Sequence, residues 1–588
     1  MAFDGLVMAA VREDLNKTII GGRIEKIYQP LAKEIILVIH KNRTKYRLLI
    51  SADPGKARIH FTKTTRENPL TPPLFCMVLR KHLEGGKITG IDQPGLERIL
   101  NIRVEAIDEL GIPAEKILIC EVMGKHSNII LVNPTTNIVL DGITRYSYAT
   151  SRHREILPGR QYIPPPESEK QDPSLVTEDQ FRSELWDLSH DLPIEKILLN
   201  SFDGFSPQTC REIAIRAGLE PGTGSQYLGE IELTQLWRVF KSIQEQLRSG
   251  EFQPVVCFFD DIPAAFSAIS LTYYSEASCK PGSISEVIDE FYSVKERLEQ
   301  FKQETANLMK TVQNEIKKAR KKHSIHASNL EKADDAEKLK IFGELITANI
   351  FRIPERAKTV ELENYYDPEG KTVLIPLDPR FSAAENAQLY FKRYSKSRQA
   401  GTIARNYLQE TRAELDYLES VVTSAEQAEN ITQLEEIRSE LIKEGYIKPE
   451  KTGFSRNAKK HEPQVSKPEP MKLNTKEGFE ILVGRNNRQN DYLTMKLAQP
   501  NDLWLHVKDI PGSHIIIRNP LAGEIPDNVI RKAAEIAAYY SQARESSKAP
   551  VDYTLRKNVR KPKGAKPGMV IYDNQKTIIA EPKKQSVH

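Results

Sequence analysis

The sequence predicts a multidomain α+β protein, and three observations carry that prediction. Short strand-like runs fill the first 170 residues, apolar residues at heptad spacing mark 291–422, and strands with one clear helix return after 476. A chain of 588 residues also has length for several separate cores.

The elements follow in order. After Asp4, residues Leu6, Val7, Ala10, Val11 and Leu15 recur at helical spacing, and runs such as EIILVIH (34–40) and YRLLISA (46–52) read as strands. PPLFCMVLRKHLEGG (72–86) reads as a helix opened by proline and stopped by paired glycines. Further strands bring one helix-flanked β domain to about residue 170, and PPPESEKQDPS (164–174) reads as a surface linker. Residues 175–280 are expected to be mostly helical. Within them, two amphipathic segments flank FDGFSP, where Gly204 permits a tight loop and Ser206-Pro207 suits a helix start. This fits a helix–hairpin–helix unit whose loop amides meet phosphate, and it fits an ordinary helical hairpin equally well.

Between 284 and 445 the chain is expected to form long coiled-coil arms. Phe291, Val294, Leu298, Phe301, Thr305, Leu308 and Val312 form one heptad series, and Leu408, Thr411, Leu415, Leu418 and Val422 a second. A hairpin turned at Asp367–Gly370 is predicted within a middle element at about 352–380, which favours arms paired within one chain over arms that dimerise. The basic run KKARKK (317–322) fits either a solvated helix face or an RNA contact. The polar stretch 446–475 reads as a flexible linker, and 476–583 as a compact C-terminal domain with strands GFEILVG, DLWLHVKD and HIIIRN and a helix at 528–543.

Composition narrows the function classes. The N-terminus lacks a basic n-region for secretion, and no apolar run reaches the roughly 18 residues a membrane span needs. Cys76, Cys120, Cys210, Cys257 and Cys279 form no CxxC pair, so buried free thiols are expected rather than a zinc site or a disulfide framework. The net charge of +4 hides an asymmetry: residues 471–588 hold 20 Lys+Arg against 12 Asp+Glu. That segment is therefore the first candidate for a polyanion contact.

WLHVKDIPGSHIII (504–517) sharpens the choice. Trp504, His506, Lys508 and Asp509 read as a surface that meets a ligand. His506 and His514 lack the further ligands zinc needs, and Ser513 beside His514 has diverging side chains, a poor dyad. GRNNRQND (484–491) and the acid-free YTLRKNVRKPKGAKPG (553–568) instead suit hydrogen bonding and charge pairing with nucleic acid.

Several long motifs carry a family resemblance: MAFDGL, FCMVLRKHLEGG, GLERI (95–99), EVMGKHSNIILVN (121–133), FDGFSP, NAQLYFKRYSK (386–396), GRNNRQNDYLTMK, DLWLHVKDIPGSHIII and NVRKPKGAKPGMV (558–570). Together, in order and over essentially the whole chain, they resemble the NFACT family. The resemblance implies an NFACT-N domain at 1–170, a helix–hairpin–helix domain at 175–280, antiparallel arms, and an NFACT-R RNA-binding domain at 476–583. It implies a cytoplasmic ribosome-quality-control adaptor that binds a large (50S) subunit carrying peptidyl-tRNA, recruits alanine tRNA and promotes mRNA-free alanine tailing. Peptide bonds would come from the ribosomal peptidyl-transferase centre, so no catalytic residue, metal or cofactor is expected. Ribosomal RNA and stalk-region ribosomal proteins are the further partners implied, with no membrane and a monomer on the ribosome.

The family's Asp-Arg pair falls on Glu97-Arg98, where the acid is one methylene longer, and its Glu-aliphatic-Met segment falls on Glu121, Val122 and Met123. Arg98 and Lys125 are expected to touch tRNA, Glu97 to orient Arg98, and Met123 to shape the loop. In the C-terminal domain Arg485, Arg488, His506, Lys508, His514, Arg560, Lys561, Lys563 and Lys566 are the expected RNA contacts, with a structural role for the two histidines fitting as well. Gly204 and Ser206 mark the hairpin. The first 280 residues also resemble the layout of formamidopyrimidine-DNA glycosylases, but Ala2-Phe3 stands where that family has a proline-glutamate pair and no four-cysteine finger follows, which argues against base excision. A ribosome-binding protein without tailing activity and a fibronectin-binding adhesin are the alternatives.

Overall fold

Asp4 opens the first helix of the computed structural model by accepting a hydrogen bond from the Val7 amide at 3.0 Å. The structure describes residues 3–107, 111–149, 153–166, 169–186, 192–274, 278–449 and 468–584. It divides into two units, Met1–Glu299 and Gln300–His588. Ala2, part of the 164–174 linker (167–168) and residues 450–467 of the expected 446–475 linker lie outside the described residues.

In the first unit, helix α1 (Gly5–Ile19) buries Leu6, Val7, Ala10, Val11 and Leu15. Met8 and Ala9 are buried too, so more of its circumference is covered than a one-sided amphipathic reading expects. Strands β1 (Arg23–Leu31), β2 (Glu34–Lys41), β3 (Thr44–Ser51) and β4 (Arg58–Phe61) precede helix α2 (Leu74–Leu83). Strands β5 (Lys87–Asp92), β6 (Ile99–Ile107), β7 (Pro113–Glu121), β8 (Asn128–Asn133) and β9 (Ile138–Gly142) follow. All nine join one sheet in the order β4-β3-β2-β1-β5-β6-β7-β8-β9, paired antiparallel. Alternation along β6 sends Leu100, Ile102 and Val104 into the main core with the two helices, while Ile99 joins a smaller core with Ile119, Ile130 and Val139.

Helices α3 (Glu178–Trp186), α4 (Ile194–Ser201), α5 (Pro207–Arg216) and α6 (Glu230–Ser249) pack around the rings of Phe181, Phe202, Trp237 and Phe240, with Phe181 and Phe240 4.6 Å apart. The sequence expectation of a mostly helical 175–280 is corrected after residue 254. There β10 (Val255–Phe259), β11 (Ile262–Ser267) and β12 (Cys279–Pro281) form a three-stranded sheet. The cysteine reading is corrected in the same place. Cys257 and Cys279 are register partners across β10 and β12 and form a disulfide, whereas Cys76, Cys120 and Cys210 are buried free thiols. Spacing along the chain hides the pair because 22 positions separate residues that strand pairing brings together.

Helix α7 (Ile284–Asp334) leads into the second unit, where α8 (Ala336–Ala348), β13 (Thr359–Glu363), β14 (Thr372–Pro376), α9 (Ala383–Glu426) and α10 (Ile431–Lys443) follow. Leu308, Val312, Ile316 and Ala319 of α7 pack against Leu415, Leu418 and Val421 of α9 and against Leu434, Ile437 and Leu441 of α10. Arg320 pairs with Glu419 at 3.2 Å, and His326 stacks on Tyr407 at 4.9 Å, so the long helices run antiparallel within one chain. The β13–β14 hairpin turns through Asp367, whose carbonyl accepts from the Gly370 amide. Lys318, Arg320 and Lys322 of the basic run are ion-paired to glutamates, which leaves that segment reading chiefly as a solvated face.

The C-terminal part builds β15 (Met471–Asn474), β16 (Glu480–Val483), α11 (Asn487–Tyr492), β17 (Leu503–Val507), β18 (Ile515–Ile517), α12 (Asp527–Tyr539), β19 (Ala549–Leu555), β20 (Val559–Arg560), β21 (Ile571–Tyr572) and β22 (Lys576–Ala580). Six strands form an antiparallel sheet ordered β15-β16-β18-β17-β19-β22. Leu505, Val507, Ile515 and Ile517 meet Val529, Ala533 and Ile536 of α12, and the opposite face buries Trp504, Ile516, Leu482 and Val559. β19 is absent from the sequence reading because basic residues crowd its end.

Candidate nucleic-acid interface

Three segments far apart in sequence meet at the start of α1. The Gly5 amide donates to the Gly204 carbonyl at 2.7 Å. A Cβ on Gly5 would lie 2.2 Å from the Leu96 carbonyl oxygen, and one on Gly204, whose φ is +72°, would lie 2.6 Å from Leu96. Space excludes a side chain at both positions, and at Gly204 the left-handed backbone favours glycine as well. Asp4 locks the junction: its carboxylate accepts from the hydroxyls of Ser206 and Thr209, each at 2.6 Å. Ser206 also caps α5, with Pro207 in the first turn. Burial pushes the Asp4 carboxyl upward, and these hydrogen bonds oppose the shift.

The clasp walls a cleft of about 340 Å³ lined by Glu97, Arg98, Lys170, Asn200, Asp203, Gly204 and Ser206. Glu97 is half-buried; burial raises its pKa, the Asp203 charge adds to the rise, and Arg98 opposes it. The structure therefore brings the Glu97-Arg98 pair and the hairpin residues into one cleft. Asp4, Lys170 and Asp203 are missing from the sequence reading of this site. Asp4 had a signal, an N-cap residue directly ahead of the helical pattern.

The second motif lies beside the first. Ile99 pairs with Glu121 across β6 and β7, and the Val122 amide donates to the Arg98 carbonyl at 2.9 Å. Glu121 is wholly buried: Arg154 donates to its two oxygens at 2.8 and 2.6 Å, and the Tyr162 hydroxyl donates at 3.0 Å. Glu121 and Val122, members of the family's Glu-aliphatic-Met segment, are each only 1% exposed. Their place is to hold the turn that follows. There the Met123 amide donates to the Ser127 hydroxyl at 2.8 Å, Gly124 takes φ +61°, and Lys125 is exposed.

The second unit revises the C-terminal expectations more strongly. The Asn-rich cluster is an internal polar network. Asn486 and Gln489 donate to Glu436 at 2.6 and 2.8 Å, Asn487 donates to the Ser420 hydroxyl at 2.8 Å, and the Asn490 side chain accepts from the His514 amide at 3.0 Å. Arg485 pairs with Glu429, and the Arg488 amide donates to Glu440. Trp504 is fully buried, which corrects its reading as a surface residue. His514 is 2% exposed with Nδ1 2.7 Å from the Thr494 hydroxyl, so its expected RNA contact is corrected to a structural role. Thr494 sits in a π-helical turn, Leu493–Leu497. Burial holds His506 down at about 4 and His514 well below the usual histidine range. Lys561 pairs with Asp491, Arg560 with Asp573, and Lys566 with Glu444 at 2.8 Å. Lys508 and Lys563 are exposed. Among the described residues no group of three or more His, Cys, Asp and Glu is placed to hold a metal, and no helix is long and apolar enough to cross a membrane.

Comparison with known proteins matches residues 4–462 to the NFACT N-terminal and middle domains and residues 470–574 to the NFACT protein RNA binding domain. A protein of Bacillus subtilis named Rqc2 homolog RqcH is 36% identical over 587 residues, covering 100% of this chain and 99% of its own. A Streptococcus pneumoniae protein of the same name is 35% identical with the same coverage. The N-terminal part of the fibronectin/fibrinogen-binding protein from Streptococcus suis matches 50% of this chain and 99% of its own, at 31% identity and a TM-score of 0.43. With family models covering both of its units and relatives matched end to end, this chain belongs to the NFACT family.

Proposed function

We propose that the protein is a ribosome-associated quality-control factor that binds large subunits carrying peptidyl-tRNA, recruits alanine tRNA and promotes mRNA-independent alanine tailing. The full-length likeness to relatives named Rqc2 homolog RqcH supports the class of function. The observation that carries the tRNA assignment is the adjacency of two motifs: Arg98 lines the cleft while its carbonyl fixes the turn leading to Lys125. An arginine and a lysine set around a hairpin loop suit phosphate, and the neighbouring acids select geometry over indiscriminate attraction. On this reading the chain positions tRNA, and bond formation belongs to the ribosomal peptidyl-transferase centre. Lys508 and Lys563 of the C-terminal domain supply further RNA contacts.

The test is to purify the protein from lysed cells and sequence the RNA that accompanies it. Alanine tRNA enriched together with large-subunit RNA is the expected result. Ribosomal RNA without tRNA favours a ribosome-binding protein that does not direct tailing, and the absence of both removes the proposal.

A further inference from the structure

The three-stranded sheet of the first unit carries the one disulfide among the described residues, between Cys257 and Cys279. Strand β10 lies at the centre of that sheet and β12 at its edge, with the two cysteines directly opposite each other. Their sulfurs meet different surroundings. Cys257 is 0% exposed, in a small apolar cluster with Val255, Ala265 and Leu271 against which Tyr273 and Tyr274 pack. Cys279 is half-buried, and its neighbours Lys280 and Pro281 are exposed.

Strand β12 has little else to hold it. It is three residues long and paired on one side only, and Pro281 has no N–H to give the ladder. The Gly282 amide adds one hydrogen bond to the Pro254 carbonyl at 3.2 Å, and Lys280 pairs with Glu290 at 3.3 Å in the open. The cross-link closes a loop across 22 positions and so removes freedom from the unfolded chain. The start of α7 has an anchor of its own, the Ser285 hydroxyl donating to Asp14 at 2.6 Å. The element that the disulfide fastens is therefore β12 itself.

In a compartment rich in reduced thiols, disulfides are rare, and those present are mostly transient or redox-sensing. A disulfide with one sulfur open to solvent is the exchangeable kind. Resting on the reading that the chain works on ribosomes in such a compartment, we propose that Cys257–Cys279 is a reversible redox modification site that exchanges with a glutathione-class thiol through Cys279. The thiolate of the reductant attacks Cys279 Sγ, because Cys257 Sγ is enclosed. The bond between the cysteines breaks, a mixed disulfide forms on Cys279, and the electron pair leaves on Cys257 Sγ, which takes a proton. A second thiol then attacks the mixed disulfide and frees Cys279. Two cysteines are reduced, and two reductant thiols are oxidised to their own disulfide.

The experiment holds the full chain, without RNA, in native buffers of graded reduced-to-oxidised glutathione ratio, quenches with acid and maps the cysteines by differential alkylation and mass spectrometry. The pair is expected to pass from disulfide to two thiols as the ratio rises. In the reduced native chain, Cys279 is expected to be alkylated at least about tenfold faster than Cys257. Cys257→Ser is expected to take one glutathione at Cys279 from oxidised glutathione, and Cys279→Ser none at Cys257. Two thiols at every ratio overturn the cross-link, and a disulfide that no ratio opens overturns the exchange. Equal alkylation rates overturn the role of Cys279. The unaltered chain decides all three even if a variant fails to fold. Because no RNA enters, failure here and failure of the alanine-tRNA reading are separate results.

Discussion

At the scale of single residues, burial separates the groups that meet a ligand from those that hold them. Arg98 borders the cleft, whereas Glu121 on the adjacent strand is buried. Arg98→Glu replaces phosphate attraction with repulsion and is expected to weaken alanine-tRNA retention by roughly tenfold or more, read by filter binding with the melting temperature unchanged. Arg154→Ala is expected to do the reverse. It strands the Glu121 carboxylate in the interior and destabilises the first unit by about 3–5 kcal/mol, read by chemical unfolding. The double variant Glu121→Gln with Arg154→Met is expected to recover much of that loss, because no buried charge is then left unpaired. The sequence marked Glu121 through a family pattern, but Arg154 and Tyr162 have no such signal. They lie 33 and 41 residues away, and only the folding of the β9 flank brings them in.

At the scale of elements, the legible features were those that local chemistry dictates. The heptads at Leu308, Val312, Leu415 and Leu418, the Asp367–Gly370 turn and the Ser206-Pro207 helix start all appear where spacing and capping place them. Strand pairing was less legible, since partners are chosen by the whole sheet. Cys257 with Cys279 and β19 beside β17 are the clearest instances. The Asn-rich stretch misled for another reason: polar side chains in a chain this charged read as surface, yet these cap α11 and bind Glu436 and Ser420. The α1–hairpin clasp makes the sharpest element-scale prediction. Gly204→Ala forces a Cβ into Leu96 at a left-handed backbone position and is expected to cost at least about 1–3 kcal/mol of first-unit stability. It is also expected to lower tRNA affinity, because the cleft wall moves. A variant with unchanged melting and affinity would show that the close approach does not shape the cleft.

At the scale of the whole molecule, only part of the basic surplus after residue 471 is met by acids from outside that segment, Arg485 and Lys584 pairing with Glu429 and Lys566 with Glu444, and acid–base balance is set by a few buried groups. In the second unit Glu440 is buried among the Tyr417 hydroxyl, the Asn487 amide and the Arg488 backbone, with Asp491 adding repulsion; burial raises it from 4.5 to about 7. A carboxyl raised by folding stabilises the fold fully below its unfolded value and loses that contribution as pH climbs through about 7. His506 has the opposite sign. Held at about 4, it contributes above its ordinary 6.5 and loses the contribution as pH falls toward 4. Wild-type melting alone mixes the two, so the separation comes from differences between variants. The stability of Glu440→Gln relative to the unaltered chain is expected to rise by roughly 3 kcal/mol between pH 4.5 and 7 and then level off. His506→Gln is expected to lose ground to the unaltered chain between pH 4 and 6.5, read in the same melts of the second unit. A flat Glu440→Gln difference across that window would mean that the carboxyl between the helices and the C-terminal sheet ionises as freely as it would in water, and the polar network joining them would then have to be redrawn.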